Sequence, residues 1–517
     1  MAQTAQTPDT FDVVVIGGGS TGENVADYAH EGGLSVAMVE RGLVGGECSY
    51  YACMPSKALL RPGQALAAAR RVDGAAQAVD GGLDAAAVLQ RRTTFTHGWD
   101  DSSQVRWADG AGITVVRGSA RLDGDRRVVV ASEGGGAGEG EGGGAGAGAG
   151  GSGGAGAGGD AGTAGGGGER VLRARHAVVL ATGSEPRTLP VEGLAGTRHW
   201  TTRDATSARA VPGSLVVVGA GVSGVELAQA YARLGARVTL VARHQVLASF
   251  APQVSERVGR ALGESGVDVR EGVSPSSVER PGGPDAAVVV HLDDGTAVTA
   301  DELLVAVGRR PATTGLGLET VGVQLDDGAP IEVDDSGRVT QVEDGWLYAA
   351  GDLTGRAPLT HQGKYAGRVV GDAIAARAAG TLGDEVEAWT RYASTSDHVA
   401  VPQVIFTDPE VAHVGLTDAD AREHGRRVRT VEEDLGDVAG ASLVADGYSG
   451  WAQLVLDDES DVVLGATFVG QDVAELLHAA TIAVVGEVPL GRLWHAVPAY
   501  PTMSEVWLRL LEADRRR

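Results

Sequence analysis

At 517 residues the chain is long enough for about three domains, and its formal charge of −25 argues against nucleic acid or an anionic membrane surface as a partner. No apolar run approaches the ~18 residues of a membrane span, and Met1 to Thr10 lacks the basic stretch and apolar core of a secretory signal. These features predict a cytoplasmic protein. Cys48 and Cys53 are the only two cysteines, so a thiolate-rich zinc site cannot be completed and no metal is expected.

Phe11 to Ile16 is a short apolar, β-branched run, the pattern of a buried strand. Gly17, Gly19 and Gly22 follow with the spacing G-x-G-x-x-G. A helix is predicted over about Glu23 to His30, and a second strand over Ser35 to Glu40. The first glycine makes a tight turn, the second lets backbone approach a pyrophosphate, and the third lets helix pack on strand. The diphosphate meets the free N–H groups of the helix N-terminus. Glu40, at the end of the second strand, accepts hydrogen bonds from a ribose diol. Together these pieces predict a dinucleotide site, and with a dithiol beside it the dinucleotide is expected to be FAD.

That dithiol lies in Gly45-Gly46-Glu47-Cys48-Ser49-Tyr50-Tyr51-Ala52-Cys53-Met54-Pro55-Ser56-Lys57. A structural disulfide belongs to secreted or periplasmic chains. Two unrelated buried thiols would pack as small hydrophobes, which leaves the flanking Gly-Gly and Pro-Ser-Lys without a reason. A redox dithiol accounts for the spacing: one thiolate attacks a substrate and the other resolves the mixed disulfide. Lys57 to about Ala69 predicts a helix interrupted at Pro62-Gly63; taken alone, Lys57 is a solvated lysine.

Glu133 to about Glu169 is a run of Gly, Ala and Ser with a few acids, unable to bury enough apolar surface to offset its ordering entropy. It predicts a disordered, elongated hairpin loop between strands at Arg127 to Val130 and Val171 to Arg173, tolerated because closure entropy grows slowly with length. His176 to Leu180 is a further strand, leading into Ala181-Thr182-Gly183. A second dinucleotide unit comes next: strand Ser214 to Val218, then Gly219, Gly221 and Gly224, a helix over Val225 to Leu234 and a strand over Arg237 to Val241. This last strand ends in Arg243-His244, not in an acid. A guanidinium fork and a second donor suit an adenosine 2′-phosphate, where an NAD site wants a carboxylate. NADPH is therefore expected, with NADH the lesser alternative. The last ~120 residues change character, with strands at Val404 to Ala412, Gly450 to Leu456 and Val462 to Val469 and a helix over Val473 to Gly486.

The Gly-Gly-x-Cys-x4-Cys-x-Pro-Ser-Lys pattern at Gly45 to Lys57 resembles the active-site motif of the class I flavoprotein disulfide reductases, the pyridine nucleotide-disulfide oxidoreductases. The resemblance extends through Ala181-Thr182-Gly183, Leu303 to Pro311, Trp346 to Asp352 and Phe406-Thr407-Asp408-Pro409-Glu410, over nearly the whole chain. It implies an α/β fold: two Rossmann-like dinucleotide-binding domains, for FAD and NAD(P), plus a C-terminal α+β dimerisation domain. The implied bounds are 10–190 and 313–385 for FAD, 191–312 for NAD(P), and 396–512 for a homodimer interface. It implies that Cys53 is the flavin-proximal sulfur and Cys48 the interchange thiol. It also implies that Lys57 lies by the flavin N5 and pairs with Glu226, that Thr182 and Gly183 close the first flavin-binding segment, and that the Asp352 carboxylate accepts the ribityl hydroxyl.

The chain departs from the family near its C-terminus. Tyr500 stands where the family has the histidine that the partner subunit supplies as acid/base, in Tyr500-Pro501-Thr502-Met503-Ser504-Glu505, while the orienting glutamate, Glu505, is kept. A phenol with a pKa of about 10 is a poor general base near neutrality; His495 is the nearest histidine in sequence. Val222 stands where a gating tyrosine can occur, and the extra C-terminal cysteine pair of mercuric reductases is missing. The expected function is transfer of electrons from NADPH through flavin to a Cys48–Cys53 disulfide and on to a small-molecule disulfide or other acceptor. The missing histidine raises an alternative from the same scaffold, a diaphorase, quinone reductase or transhydrogenase-like flavoenzyme, and puts a dihydrolipoamide-like substrate in doubt; a dihydrolipoamide dehydrogenase-like subunit of a larger complex is a further alternative.

Overall fold

Val13 to Ile16 are almost wholly buried because they form the centre of a parallel sheet covered on both faces. In the computed structural model of the chain, which describes residues 9–132 and 168–517, this strand, β1 (Asp9–Ile16), is followed by α1 (Ser20–Glu31) and β2 (Val36–Glu40). Next come α2 (Gly46–Tyr50), α3 (Cys53–Arg70), α4 (Ala85–Phe95) and α5 (Ser102–Gly110), then β3 (Thr114–Arg117), β4 (Ser119–Leu122), β5 (Arg127–Ala131) and β6 (Glu169–Leu180). The sheet runs β3-β2-β1-β6-β5-β4, with β16 (Leu347–Ala349) added on β6. β1 pairs in parallel with β2 and β6, and β5 antiparallel with β6.

The strands predicted separately at Val171 to Arg173 and His176 to Leu180 are one strand, β6. Its first half pairs with β5 and its second half with β16. β5 and β6 form the two sides of the expected hairpin; the Gly-rich run between them, expected to be disordered, lies outside the described residues. A second difference concerns α3, which continues through Pro62 where an interruption was predicted. The lost N–H costs one helical bond, but Leu59, Leu60 and Gly63 around it are buried and hold the helix in place.

β7 (Ser184–Pro186) leads away from this sheet to α6 (Thr202–Ser207) and to a second parallel sheet. That sheet is built from β8 (Ser214–Val218), α7 (Val222–Arg233), β9 (Arg237–Ala242), α8 (Pro252–Glu264), β10 (Val267–Glu271) and β14 (Glu302–Val305), in the order β10-β9-β8-β14. A three-stranded antiparallel meander, β11 (Pro275–Glu279), β12 (Val288–Leu292) and β13 (Ala297–Ala300), is inserted before β14. β15 (Arg309–Pro311) returns alongside β7 as a two-stranded ribbon, so both crossings between the parallel sheets run side by side.

α9 (Thr360–Ala378) then packs on α1. Gly363, Gly367 and Gly371 line one face of α9 at helical spacing. A Cβ on Gly367 would lie 2.6 Å from the Thr21 carbonyl oxygen, so only glycine admits this approach. The chain ends in a five-stranded antiparallel sheet, β17 (Gln403–Ile405), β18 (Glu410–Gly415), β19 (Val428–Glu433), β20 (Trp451–Asp457) and β21 (Val463–Gly470), in the order β17-β18-β21-β20-β19. The single strand predicted over Val404 to Ala412 is two, broken at Thr407-Asp408-Pro409 because proline cannot donate to a ladder. Helices Leu477–Val485 and Val506–Arg515 cover this sheet. Among the described residues no helix is long and apolar enough to cross a membrane.

Candidate active site

The two cysteines occupy the ends of a short loop pressed against the first glycine turn. Gly45 has a left-handed backbone (φ +106°) and donates its N–H to the Gly18 carbonyl at 2.8 Å. A Cβ on Gly46 would come within 2.7 Å of the Gly19 Cα. The Gly-Gly pair is thus required by close approach of two backbones, which places the dithiol beside the dinucleotide turn. The Glu47 carbonyl accepts from the N–H groups of both Tyr51 and Ala52, each at 2.7 Å, and so closes the loop between α2 and α3.

Cys53 is the first residue of the 18-residue α3, where free N–H groups and the helix dipole favour a thiolate. Its sulfur lies 3.2 Å from the Thr360 hydroxyl at the start of α9. A hydrogen bond from the Cys48 thiol pulls Cys53 down to about 6; burial opposes this, and the Thr360 hydroxyl and the Lys57 charge add to it. The same hydrogen bond, with burial, pushes Cys48 well above the ordinary thiol range. Both directions favour the thiolate at Cys53 and the proton at Cys48.

Lys57, one turn along α3, pairs with Glu226 of α7 at 2.7 Å. Glu226 is buried, and its other oxygen accepts from the Phe406 N–H at 2.9 Å. The tyrosine pair of the loop rests on a platform behind it. The Tyr50 hydroxyl donates to Gln104 at 3.1 Å, and its carbonyl accepts from the Trp99 indole at 3.1 Å. The Tyr51 carbonyl accepts from the Thr206 hydroxyl at 2.7 Å, and the Arg203 guanidinium lies 4.1 Å from the Tyr51 ring centre. Arg92 is fully buried beneath and donates to the carbonyls of Thr206 and Ala208.

The glycine turns fit dinucleotides by their shape. In the first, a Cβ on Gly17 would meet the Ala181 carbonyl oxygen at 2.3 Å and one on Gly22 would meet the Gly17 oxygen at 1.9 Å, whereas Gly19 has no neighbour closer than 3.8 Å. The second repeats this: Gly219 and Gly224 are packed and Gly221 faces open space. The middle glycine of each turn thus leaves room for a phosphate group to approach. Neither α1 nor α7 has a side chain capping its N-terminus, so the first N–H groups of both helices are available to an anion. Glu40 accepts from the N–H groups of Gly18 and Gly42 at 2.7 and 2.6 Å, which aims its carboxylate across the first turn.

The remaining predicted residues fall as follows. The Thr182 hydroxyl donates to the Ala312 carbonyl at 2.9 Å, and Gly183 takes a left-handed φ of +73°. Asp352 accepts from the Ser184 hydroxyl at 2.6 Å. Arg243 and His244 are exposed at the end of β9, with the Arg243 Nε donating to the His244 Nε2 at 3.1 Å, which leaves the His244 Nδ1 as the outward donor. Tyr500 and Glu505 are not brought together. Tyr500 is 76% exposed, whereas Glu505 is buried and pairs with Arg509 at 2.7 Å. His495 is exposed on the same stretch. Residues that sequence reasoning did not single out are Thr360 beside Cys53, Glu47 with Arg203 and Arg309, and Asp408, which holds both Arg71 and Arg233. None of these contacts carried a signal in the sequence, because each joins residues far apart in the chain.

A fold of two parallel sheets, each with a glycine turn, and a dithiol between them defines a class of flavin-linked redox enzymes. The chain belongs to the pyridine nucleotide-disulphide oxidoreductase family, whose model matches residues 11–368, with the family's dimerisation domain matching residues 401–510. It is 31% identical to a mercuric reductase of Shigella flexneri over 95% of this chain and 79% of that one. It is 30% identical to dihydrolipoyl dehydrogenase 2 of Haloarcula marismortui over 96% and 94%. Its fold is similar to that of the HOCl-induced flavoprotein disulfide reductase RclA from Escherichia coli in a Cu(II) complex, with a TM-score of 0.76, 22% identity and coverage of 98% and 99%. The chain is an FAD-dependent, NAD(P)H-linked oxidoreductase of the disulfide-reductase class.

Proposed function

We propose that the protein uses NADPH to reduce a small disulfide through Cys48 and Cys53, as a homodimer in the cytoplasm. Segments 10–190 and 313–385 would hold FAD through Gly17, Gly19, Gly22, Glu40, Thr182, Gly183 and Asp352. Segment 191–312 would hold NADPH through Gly219, Gly221, Gly224, Arg243 and His244, and segment 396–512 would form the dimer seam. Bound FAD supplies a two-electron carrier between the nicotinamide and the dithiol. Lys57 and Glu226 place a fixed ion pair beside the Cys53 end of the loop.

The observation that carries this reading is the short loop that sets both cysteines against the first glycine turn, with Cys53 at the start of α3 and 3.2 Å from the Thr360 hydroxyl. These surroundings favour the thiolate at Cys53 and the proton at Cys48. Cys48 gives up that proton and attacks the substrate disulfide, forming a mixed disulfide and releasing one thiolate. Cys53 then attacks the Cys48 sulfur, forming the Cys48–Cys53 disulfide and releasing the second thiolate. The Cys48 proton and one from solvent convert both products to thiols, so two electrons and two protons pass per disulfide. Cys48→Ser is expected to abolish disulfide turnover while leaving reduction of the bound flavin by NADPH intact; a Cys48→Ser enzyme that still turns over a disulfide contradicts the assignment.

Arg243 and His244 support the choice of NADPH. Arg243→Ala is expected to raise the KM for NADPH about tenfold and to leave that for NADH within about twofold, since a charge-assisted bidentate contact exists only with a 2′-phosphate. A second reading is favoured by Tyr500, an exposed tyrosine standing where the family has its acid/base histidine. In it, electrons leave for a quinone-like acceptor without using the thiols. A Cys48→Ser/Cys53→Ser protein with wild-type quinone turnover would establish that route.

A further inference from the structure

The residue immediately before Cys48 is a carboxylate that points away from solvent-only surroundings into two guanidiniums. One Glu47 oxygen pairs with the Arg309 Nη2, and the other lies 3.5 Å from the Arg203 Nη2. Arg309 is fixed in turn: its Nε donates to the Ser184 hydroxyl at 2.8 Å and its Nη2 to the Ser184 carbonyl at 2.6 Å, while the Ser184 hydroxyl donates to Asp352. Arg203 also covers the Tyr51 ring, three residues after Cys48. The two guanidiniums come from different elements, Arg203 from α6 and Arg309 from the start of β15 in the β7–β15 ribbon. The backbone of Glu47 meanwhile closes the loop through Tyr51 and Ala52. α2 has five residues, too few to hold its own shape.

We propose that Glu47 is a positioning residue: through Arg203 and Arg309 it holds α2 so that the Cys48 thiol stays on the Cys53 sulfur. This rests on the reading of Cys48 and Cys53 as a reversible dithiol. An isolated, partly exposed Glu–Arg pair is worth little for stability. The role assigned to Glu47 is therefore one of orientation, read in the chemistry of the thiols and not in the melting temperature. Without the clasp, the Cys48 thiol leaves Cys53 more often, and the Cys53 thiolate loses its strongest donor. The reduced form is then less favoured relative to the disulfide.

The test compares wild type, Glu47→Gln and Arg203→Gln as flavin-loaded proteins. The first quantity is the pH dependence of iodoacetamide labelling at Cys53, located by peptide mass. The second is the dithiol–disulfide equilibrium in mixtures of reduced and oxidised dithiothreitol. Glu47→Gln is expected to move the Cys53 labelling midpoint up by about one pH unit. It is also expected to shift the equilibrium about tenfold toward the disulfide, about 30 mV for this two-electron couple. Arg203→Gln, which removes one guanidinium of the clasp, is expected to move both in the same direction by less, and it decides the question if Glu47→Gln does not fold. A reversible wild-type couple that the variants leave unmoved overturns the positioning role alone. A wild-type protein that forms no reversible disulfide overturns the dithiol reading and the positioning role with it.

Discussion

At the scale of single residues, function turns on which sulfur keeps the proton. Around Cys53 a hydrogen-bonding thiol, a hydroxyl, a helix N-terminus and a nearby ammonium outweigh burial; around Cys48 the partner sulfur and burial outweigh the same Thr360 hydroxyl and the Lys364 charge. The Cys53 thiol is pulled down from the ordinary thiol range to about 6, so its thiolate is present above that pH and is lost as the pH falls through it. Iodoacetamide labelling of Cys53 in the reduced protein is therefore expected to rise through pH 6 and level off above it. Cys48→Ala, which removes the donor, is expected to move that rise upward by a unit or more; an unshifted rise would show that Cys48 does not hold the thiolate. The cysteines were legible in the sequence from their spacing between Gly-Gly and Pro-Ser-Lys, while Lys57 and Glu226 were singled out only through the resemblance to the family. Thr360, Arg203 and Arg309 were not legible, because all three reach the loop from distant parts of the chain, Thr360 across 307 residues and Arg309 across 262, and only the fold brings them there.

At the scale of elements, backbone approach decides more than side-chain packing. Periodicity located β1, β2, β8 and β9 within a residue or two, and both glycine turns are where their spacing puts them. The glycine face of α9 carried no comparable signal, since glycines three or four apart are unremarkable in a chain with 79 of them. Gly367→Ala is expected to destabilise the protein by about 2 kcal/mol, the usual cost of overpacking a tight contact, because the new Cβ meets the Thr21 carbonyl at 2.6 Å. Urea unfolding would measure this, and an unchanged midpoint would show that α1 and α9 separate easily. Pro62 and the break at Asp408-Pro409 were misread for opposite reasons. In α3, packing of Leu59 and Leu60 outweighs the proline, while in the last sheet the proline ends β17's ladder early.

At the scale of the whole molecule, one carboxylate ties the three layers together. Asp408, just before β18, accepts two hydrogen bonds from Arg71 at the end of α3, each 2.8 Å, and one from Arg233 at the end of α7 at 2.7 Å. Burial resists its ionisation, but the two guanidiniums hold its carboxyl below the usual range. Asp408→Asn is expected to cost about 2 kcal/mol after the partly exposed Arg71 is discounted for solvent screening. Chemical denaturation would measure it, and a loss well under 1 kcal/mol would show that the layers are held elsewhere. Val497, Tyr500 and Ile482 are exposed at 85%, 76% and 57% within the region that matches the dimerisation domain. A homodimer through this region would elute at twice the 52.6 kDa of the chain, and a monomer at micromolar concentration would contradict it.

The central claim is that reducing equivalents from NADPH reach Cys48 and Cys53. Its most direct test is an anaerobic titration of the yellow protein with NADPH, following the visible spectrum and counting alkylatable thiols at each addition. The first equivalent is expected to produce a long-wavelength absorbance band and two new thiols, Cys48 and Cys53. Bleaching of the flavin absorbance with neither the band nor new thiols would contradict it and place the cysteines outside the electron path.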